Sequence, residues 1–299
     1  MRSTCLLSVS LPAFLMSAAV CASADRVFDR QVPAQPRGVV DISNVSGAIA
    51  VTGWDRPEVS VHAELGAGVE RVEVNSEGGR TVIKVVLPAH SGHDGEAHLQ
   101  VQIPKDSELN VSAVSADVTS AGVLGVQHVS AVSGEVTAEL AGSDLELKTV
   151  SGDVRLKGHG QPARLHVSTV SGDVHLEHGA GDLEAGTVSG TLVVSLDSAR
   201  SVRARTTSGD LRFQGRLTRG ADFDASTVSG DLDVRASAEG GYGYELKTFS
   251  GDIRSCFDAQ AERSGKFMPG STLQGTRGEG AGHVRLKTMS GDIQLCDRN

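Results

Sequence analysis

The hexapeptide Thr149-Val150-Ser151-Gly152-Asp153-Val154 is one copy of a motif that recurs along most of the chain. Close copies begin at Thr169, Thr227, Thr248 and Thr288, and looser copies begin at Asn44, Ala113, Ala131, Thr187 and Thr206. From Ser115 to Ser290, successive motif serines are separated by 18, 18, 20, 18, 19, 21, 21 and 40 residues. A short and regular period indicates stacked structural units, none of which buries its apolar side chains alone.

Apolar and polar residues alternate on both sides of each motif copy. Apolar side chains stand seven and five positions before the motif glycine and two and four positions after it, as Leu147 and Val154 do around Gly152. A period of two indicates a strand with one buried face. The valine two positions before the glycine, such as Val150, is also expected to be buried. Burial of this valine requires the alternation of apolar and polar residues to shift by one residue. The chain is therefore expected to turn near the motif threonine.

These patterns predict an all-β protein in which residues 106–299 form a β-solenoid. Each rung, the unit around one motif copy, has 18–21 residues, and neighbouring rungs pair in parallel at about 4.8 Å. The final step of 40 residues is expected to be an ordinary rung with an insertion at 257–282 that loops out of the stack. Outside the N-terminal segment, no window has sustained helical periodicity.

The region before the solenoid has a different pattern. Alternating segments and a turn signal at Glu77-Gly78-Gly79 predict a small antiparallel β unit over residues 39–105. Residues 25–38 are expected to be an extended lead-in, because Pro33 and Pro36 disfavour regular strand pairing.

The N-terminus resembles a secretory signal peptide. Arg2 precedes an apolar segment from Leu6 to Val20, and Ala22-Ser23-Ala24 forms an A-x-A cleavage site. Residues 1–24 are therefore expected to be removed, which places the protein outside the cytoplasm, in the periplasm or at the cell surface. The alternative is a lipoprotein signal that retains Cys21, although Val20 is a poor residue before a lipidated cysteine.

Charge and hydropathy exclude several partners. The formal net charge is −9, and the chain has no basic run, so nucleic acid and anionic lipid are poor candidates. No later segment is long and apolar enough to span a membrane.

Cleavage at Ala24 would leave two cysteines, Cys256 and Cys296, each five residues after a motif glycine. If residues 257–282 loop out, these are equivalent positions on consecutive rungs, with Cα atoms about 4.8 Å apart. That separation lies within the disulfide range, and an oxidising compartment favours the bond. We expect a disulfide on the outer face that fastens the last rung.

An aspartate follows the glycine in most copies, and stacking would bring these carboxylates into a column. One interpretation is a Ca²⁺ site, for which the candidates are Asp153, Asp173, Asp231 and Asp252. The favoured interpretation is that each aspartate caps its own turn by accepting backbone N–H groups. Thr191 interrupts the column, and the nonapeptide pattern of calcium-binding β-rolls is missing.

Two further sets of side chains suggest chemistry only weakly. The motif threonines are expected to form a hydroxyl ladder along the stack. His90, His93 and His98 lie in a loop with Asp94 and Glu96, but their spacing matches no standard metal motif. His166, His175 and His178 are likewise expected to be solvated.

An enzymatic role has little support in this sequence. β-Helices that act on polysaccharides use clustered carboxylates in an aromatic-lined groove. This chain has one Trp and two Tyr, and its acidic residues are distributed by repeat. We expect no catalytic residues and no cofactor.

The motif copies, together with Gly53-Trp54-Asp55 and the signal peptide, resemble the bacterial "putative adhesin" β-strand-repeat family, a domain of unknown function. The resemblance covers residues 38–296 and implies an exported, non-enzymatic β-solenoid at the cell envelope. It transfers no catalytic residue. The expected function is therefore a non-catalytic scaffold that binds an envelope or surface component, protein or glycan. The alternatives are a carbohydrate-active β-helix enzyme and a calcium-dependent binding module.

Overall fold

Successive motif copies lie side by side in parallel register. The computed structural model describes residues 26–88, 95–257, 262–263 and 270–297. Ser151 pairs with Ser133 on one side and with Ser171 on the other. The same register extends to Ser115 at one end and through Ser189 and Ser208 to Ser229 at the other. The described residues are all-β and contain no helix.

The strands fall into three groups along the chain. The first rungs and the N-terminal end contain β1 (Arg26–Pro33), β2 (Val39–Trp54), β3 (Glu58–Leu65), β4 (Arg71–Glu77), β5 (Arg80–Val86), β6 (Ala97–Pro104) and β7 (Glu108–Ala121). The central rungs contain β8 (Gln127–Ser133), β9 (Val136–Leu140), β10 (Leu145–Ser151), β11 (Val154–Gly158), β12 (Pro162–Ser171), β13 (Val174–Ser189), β14 (Leu192–Ser208), β15 (Leu211–Ser229) and β16 (Leu232–Ala238). The C-terminal part contains β17 (Gly241–Ser250), β18 (Ile253–Ser255), β19 (Glu262–Arg263), β20 (Ser271–Gly278), β21 (Gly282–Ser290) and β22 (Ile293–Cys296).

Each rung contributes to two parallel ladders. The residues before the motif glycine pair with their counterparts, as β10 does with β12, and the residues after it pair separately, as β11 does with β13. Side chains from both ladders, such as Leu147 and Val154, are buried in one apolar cluster. The result is a thin β-solenoid-like stack whose stability depends on contacts between neighbouring rungs.

The chain turns at the motif glycine rather than at the threonine. Gly172 has a φ of +151°, and a Cβ there would lie 2.2 Å from the carbonyl oxygen of Gly152 in the adjacent rung. Only glycine permits this close approach of two backbones. The strand alternation runs undisturbed through the threonine, so the expected phase shift before the motif valine does not occur.

The N-terminal region differs from the expected separate antiparallel unit. β2 pairs in parallel with β7 from Val39 to Thr52, and with β5 and β6 on its other side. Antiparallel pairing in this region is confined to β1 with β3, β3 with β6 and β4 with β5. The expected lead-in also differs, since β1 pairs with β3 along its whole length and Pro33 ends the strand. Proline is compatible with a strand end at a sheet edge.

The C-terminal rungs do not follow chain order. β21 lies between β15 and β17, and β22 lies between β16 and β18. The rung of Ser290 is therefore inserted between those of Ser229 and Ser250. The expected insertion loop is also partly regular, because β20 covers the outer edge of β17 as an antiparallel strand and β19 pairs with β20.

Some expectations concern residues that the structure does not describe. The signal segment 1–24, His90, His93 and Asp94 lie outside the described residues. Within the described ranges, no helix long and apolar enough to cross a membrane is present.

Candidate binding surface

The motif valines form an exposed apolar column along the outside of the stack. Val150 and Val170 are 49% and 48% exposed, which corrects the expectation that this position is buried. We call this column the Val ladder. In spatial order it comprises Val114, Val132, Val150, Val170, Val188, Thr207, Val228, Met289 and Phe249. A contiguous exposed apolar surface of this kind commonly marks an interaction site.

The motif threonines occupy the interior positions that the valines were expected to fill. Thr149, Thr169 and the equivalent threonines are buried. Thr248 donates a hydrogen bond to the carbonyl oxygen of Gly291 at 3.1 Å. In contrast, the hydroxyls of Thr149, Thr169, Thr187 and Thr206 have no hydrogen-bond partner in the described part of the chain. The expected hydroxyl-to-hydroxyl ladder is therefore replaced by threonine-to-glycine bonds in some rungs.

The variation in residue size at the positions of the motif threonine and the motif valine indicates which of the two is buried, whereas the period-two pattern does not. The interior position is threonine in every rung from Thr149 onwards, whereas the outer position ranges from Thr207 to Phe249 and Met289. A close-packed interior next to a corner tolerates little variation in volume, while a solvent-facing position tolerates much.

A second column on the same sheet face alternates in charge. It lies six positions before the motif glycine, four residues from the Val ladder, and we call it the charge ladder. In spatial order its members are His128, Glu146, His166, Glu184, Arg203, Asp224, Arg285 and Glu245. Every neighbouring pair joins a basic to an acidic side chain, which is the favourable arrangement across paired strands.

The charge ladder explains the insertion of the last rung. In chain order, Asp224 would lie beside Glu245, and like charges directly opposite each other destabilise a sheet. Arg285 separates them instead and contacts both carboxylates, at 3.4 Å from Asp224 and 3.3 Å from Glu245. The alternation of charge was therefore a sequence signal for the true order of the rungs.

Contacts between basic and acidic side chains join four of the seven neighbouring pairs of the ladder, and none of the four lies at its centre. His128 lies 3.2 Å from Glu146, and His166 lies 3.5 Å from Glu184. Arg203 is exposed and makes no ion pair with any described residue. The middle of this face thus presents a free guanidinium.

A shallow groove of about 740 Å³ runs beside the charge ladder over the central rungs. Its second wall is the column eight positions before the glycine, which includes Asp144, Arg164 and Asp182. Hydrogen bonds from Arg200 lower the pKa of Asp182 despite the opposing effect of burial. Burial raises the pKa of Asp144, but hydrogen bonds from Arg164 outweigh it and the net shift is downward. Both carboxylates are therefore firmly ionised near neutral pH.

The motif aspartates cap the turn of the neighbouring rung rather than their own. Oδ1 of Asp153 accepts the backbone N–H of Asp173 at 3.1 Å, and Oδ1 of Asp231 accepts that of Asp292 at 2.8 Å. Asp252 donates its N–H to Asp292 at 2.9 Å. The carboxylates thus act as connectors between rungs. Across the described ranges, no group of three or more His, Cys, Asp or Glu side chains is placed to hold a metal ion.

The structure contains a disulfide between Cys256 and Cys296, with a Cα–Cα distance of 4.9 Å. Cys256 is exposed and Cys296 is buried. Because of the inserted rung, the bond joins the spatially outermost rung, that of Ser250, to the rung beneath it, which is the last rung in chain order.

The remaining histidines do not assemble a site. His98 lies 3.2 Å from Glu96, and His178 lies 3.5 Å from Asp197. His175 is exposed. Among the described aromatic side chains, Phe213, Phe223, Tyr242 and Tyr244 are buried, and Phe249 is exposed in the Val ladder.

A family model described as Toastrack DUF4097 matches residues 71–296. This match covers most of the chain, and the chain belongs to this family, whose function is unknown. The resemblance inferred from the motif copies is confirmed. No curated protein matches the chain.

Several solved structures are similar over most of their length. A "putative cell adhesion protein" from Clostridium sporogenes is 11% identical, with coverage of 91% of this chain and 100% of that one and a TM-score of 0.26. A "putative adhesin" from Bacteroides fragilis is 12% identical, with coverage of 91% and 98% and a TM-score of 0.38. A "putative lipid binding protein" from Parabacteroides distasonis is 9% identical, with coverage of 91% and 98% and a TM-score of 0.35. Similarity at this level carries no argument about function.

Proposed function

We propose that this protein is an exported, non-catalytic binding scaffold of the cell envelope, adhesin-like in role, whose Val ladder contacts an envelope or surface component. The observation that carries the proposal is the Val ladder itself. Nine rungs spaced by about 4.8 Å give a column of roughly 38 Å that is apolar except at Thr207. Burial of exposed valine, methionine and phenylalanine side chains against a partner is favourable by about 25 cal/mol per Å².

The chemistry of the surface supports binding rather than catalysis. Carboxylates line the central groove, but each of them lies beside a basic side chain, and no aromatic ring lines the groove as a sugar-cleaving site requires. The family assignment supplies no catalytic residue.

Export and rung organisation belong to the same proposal. Cleavage near Ala24 would deliver the chain to the periplasm or cell surface, and the Cys256–Cys296 disulfide is consistent with an oxidising compartment. We take the rung of 18–21 residues as the repeating unit of residues 106–299.

Site-specific photo-cross-linking in intact cells tests the binding surface. A photoreactive residue at Val150 should capture a discrete partner, whereas the same residue at the exposed Leu124, outside the Val ladder, should not. The purified partner should then bind the wild-type protein at least about tenfold more tightly than the triple variant V150S/V170S/V188S. Equal affinity for the two proteins, or capture of the same neighbours from both positions, would contradict the proposal.

A further inference from the structure

The charge ladder has a symmetry that a random arrangement of charges lacks. Its eight members alternate strictly, beginning with a basic residue, His128, and ending with an acidic one, Glu245. When the order of the eight members is reversed, a basic residue therefore lies opposite an acidic residue at every position. From this we infer that the sheet face bearing the charge ladder binds a second copy of the same chain, as an isologous dimer with its twofold axis along the strands.

The position of the axis follows from the charges. Rotation about the strand direction reverses the order of the rungs but keeps each column opposite its own counterpart. Glu184 then faces Arg203 of the second copy, His166 faces Asp224, and Glu146 faces Arg285. Rotation about the stacking direction would instead keep the rung order and set like charges opposite each other. Charge complementarity selects between the two arrangements.

The centre of the proposed interface holds the free guanidinium. Arg203 makes no ion pair with a described residue of its own chain, while Glu184 has only His166 at 3.5 Å. The axis passes between the rungs of these two residues, so the dimer forms two symmetric Glu184–Arg203 contacts. This supplies Arg203 with the carboxylate that the monomer lacks.

The neighbouring columns agree with this geometry. Eight positions before the glycine, Arg164 would face Asp222, and Asp144 would face His283. Four positions before it, the one like-charged pair is Lys148 with Lys287. Lys148 is already paired with Glu146 in its own rung.

The face is large enough for a stable dimer. Seven steps of about 4.8 Å and a width of roughly 20 Å give about 700 Å² per copy, close to the roughly 800 Å² of a standard interface. Because the Val ladder lies on the same sheet face, the rotation also sets the Val ladders of the two copies opposite each other, along one edge of the interface.

Charge reversal at the centre tests the inference by sedimentation velocity of the mature chain at low ionic strength. The wild-type protein should dimerise, and salt should weaken the dimer. R203E and E184R each place like charges together and should weaken self-association at least about tenfold. R216E reverses an exposed charge among the residues that follow the motif glycine, away from the charge ladder, and it should leave the dimer unchanged.

The decisive measurement mixes the two single variants. A glutamate at position 203 of one chain faces an arginine at position 184 of the other, and the native Glu184 and Arg203 face each other across the second contact. An equimolar mixture of R203E and E184R should therefore regain the dimer, which misfolded variants would not do. Wild-type protein that stays monomeric at every concentration, or a mixture that behaves as two separate monomers, would overturn the inference.

Discussion

Cys256 and Cys296 are 40 residues apart in the chain, yet their Cα atoms lie 4.9 Å apart on adjacent rungs. The bond joins the rung of Ser250, which is outermost in space, to the inserted rung of Ser290, which is last in the chain. It closes a loop that contains β19, β20, β21 and β22. This covalent contact fastens the part of the fold whose strand order departs most from chain order.

Removal of this disulfide should loosen the C-terminal rungs selectively. The chain-entropy treatment gives at most about 4 kcal/mol for a closed loop of this length. C256S/C296S should show faster amide hydrogen exchange in β17, β18, β21 and β22, while the rungs around β10 to β13 remain protected. Uniformly faster exchange throughout the stack would contradict this local role. Each single serine variant should match the double variant in the absence of intermolecular disulfides.

Replacement of a motif glycine by alanine should be severe. In G172A the new Cβ would lie 2.2 Å from the carbonyl oxygen of Gly152, at a φ of +151°. We expect a loss of at least about 2 kcal/mol, measured by chemical denaturation. G186A is the matched control in β13, the strand that follows Gly172, because its Cβ would have no neighbour nearer than 3.9 Å. A loss of stability in G186A equal to that in G172A would show that the close approach of the backbones is not the cause.

The buried threonines should respond differently to replacement by valine. T169V removes a buried hydroxyl that has no hydrogen-bond partner among the described residues, so the protein should gain about 1 kcal/mol. T248V removes the donor to Gly291 and leaves that carbonyl unpaired, so it should lose about 1 kcal/mol. Denaturant titrations with unchanged m-values would measure both effects. The same sign of change in both variants would contradict the assignment of hydrogen bonds.

The Asp182–Arg200 pair should make stability depend on acidity. Hydrogen bonds from Arg200 lower the pKa of Asp182 in the folded protein. The stabilisation is therefore present above the unfolded aspartate pKa of about 3.9 and is lost as the pH falls through the lower folded pKa. D182N should be less stable than the wild type at pH 7, and the difference should shrink below about pH 4. R200Q should reproduce this behaviour, whereas a difference that persists in acid would implicate packing instead.

The register of the stack and the position of the cysteines could be predicted because both depend on the motif spacing. A period-two pattern also located Leu147 and Val154 in the core. The exposure of Val150 was missed because an apolar residue beside a corner is ambiguous until the backbone fixes where the corner lies. The insertion of the Ser290 rung was missed because equivalent rungs fit against one another in any order as far as the motif is concerned. Only the alternation of Asp224, Arg285 and Glu245 distinguishes the true order.

The inserted rung has a consequence for a chain that leaves a ribosome or a secretion channel N-terminus first. β17 and β18 emerge before β21 and β22, yet they have no place beside β15 and β16 until those later strands arrive. The apolar side chains of the outermost rung therefore lack their native neighbours until the final residues of the chain have emerged and paired beneath that rung. Vectorial folding can complete the stack up to Ser229 one coil at a time, but the last two coils have to be acquired together. A chain that stops before β21 would leave Asp224 and Glu245 without the Arg285 that separates them in the complete stack.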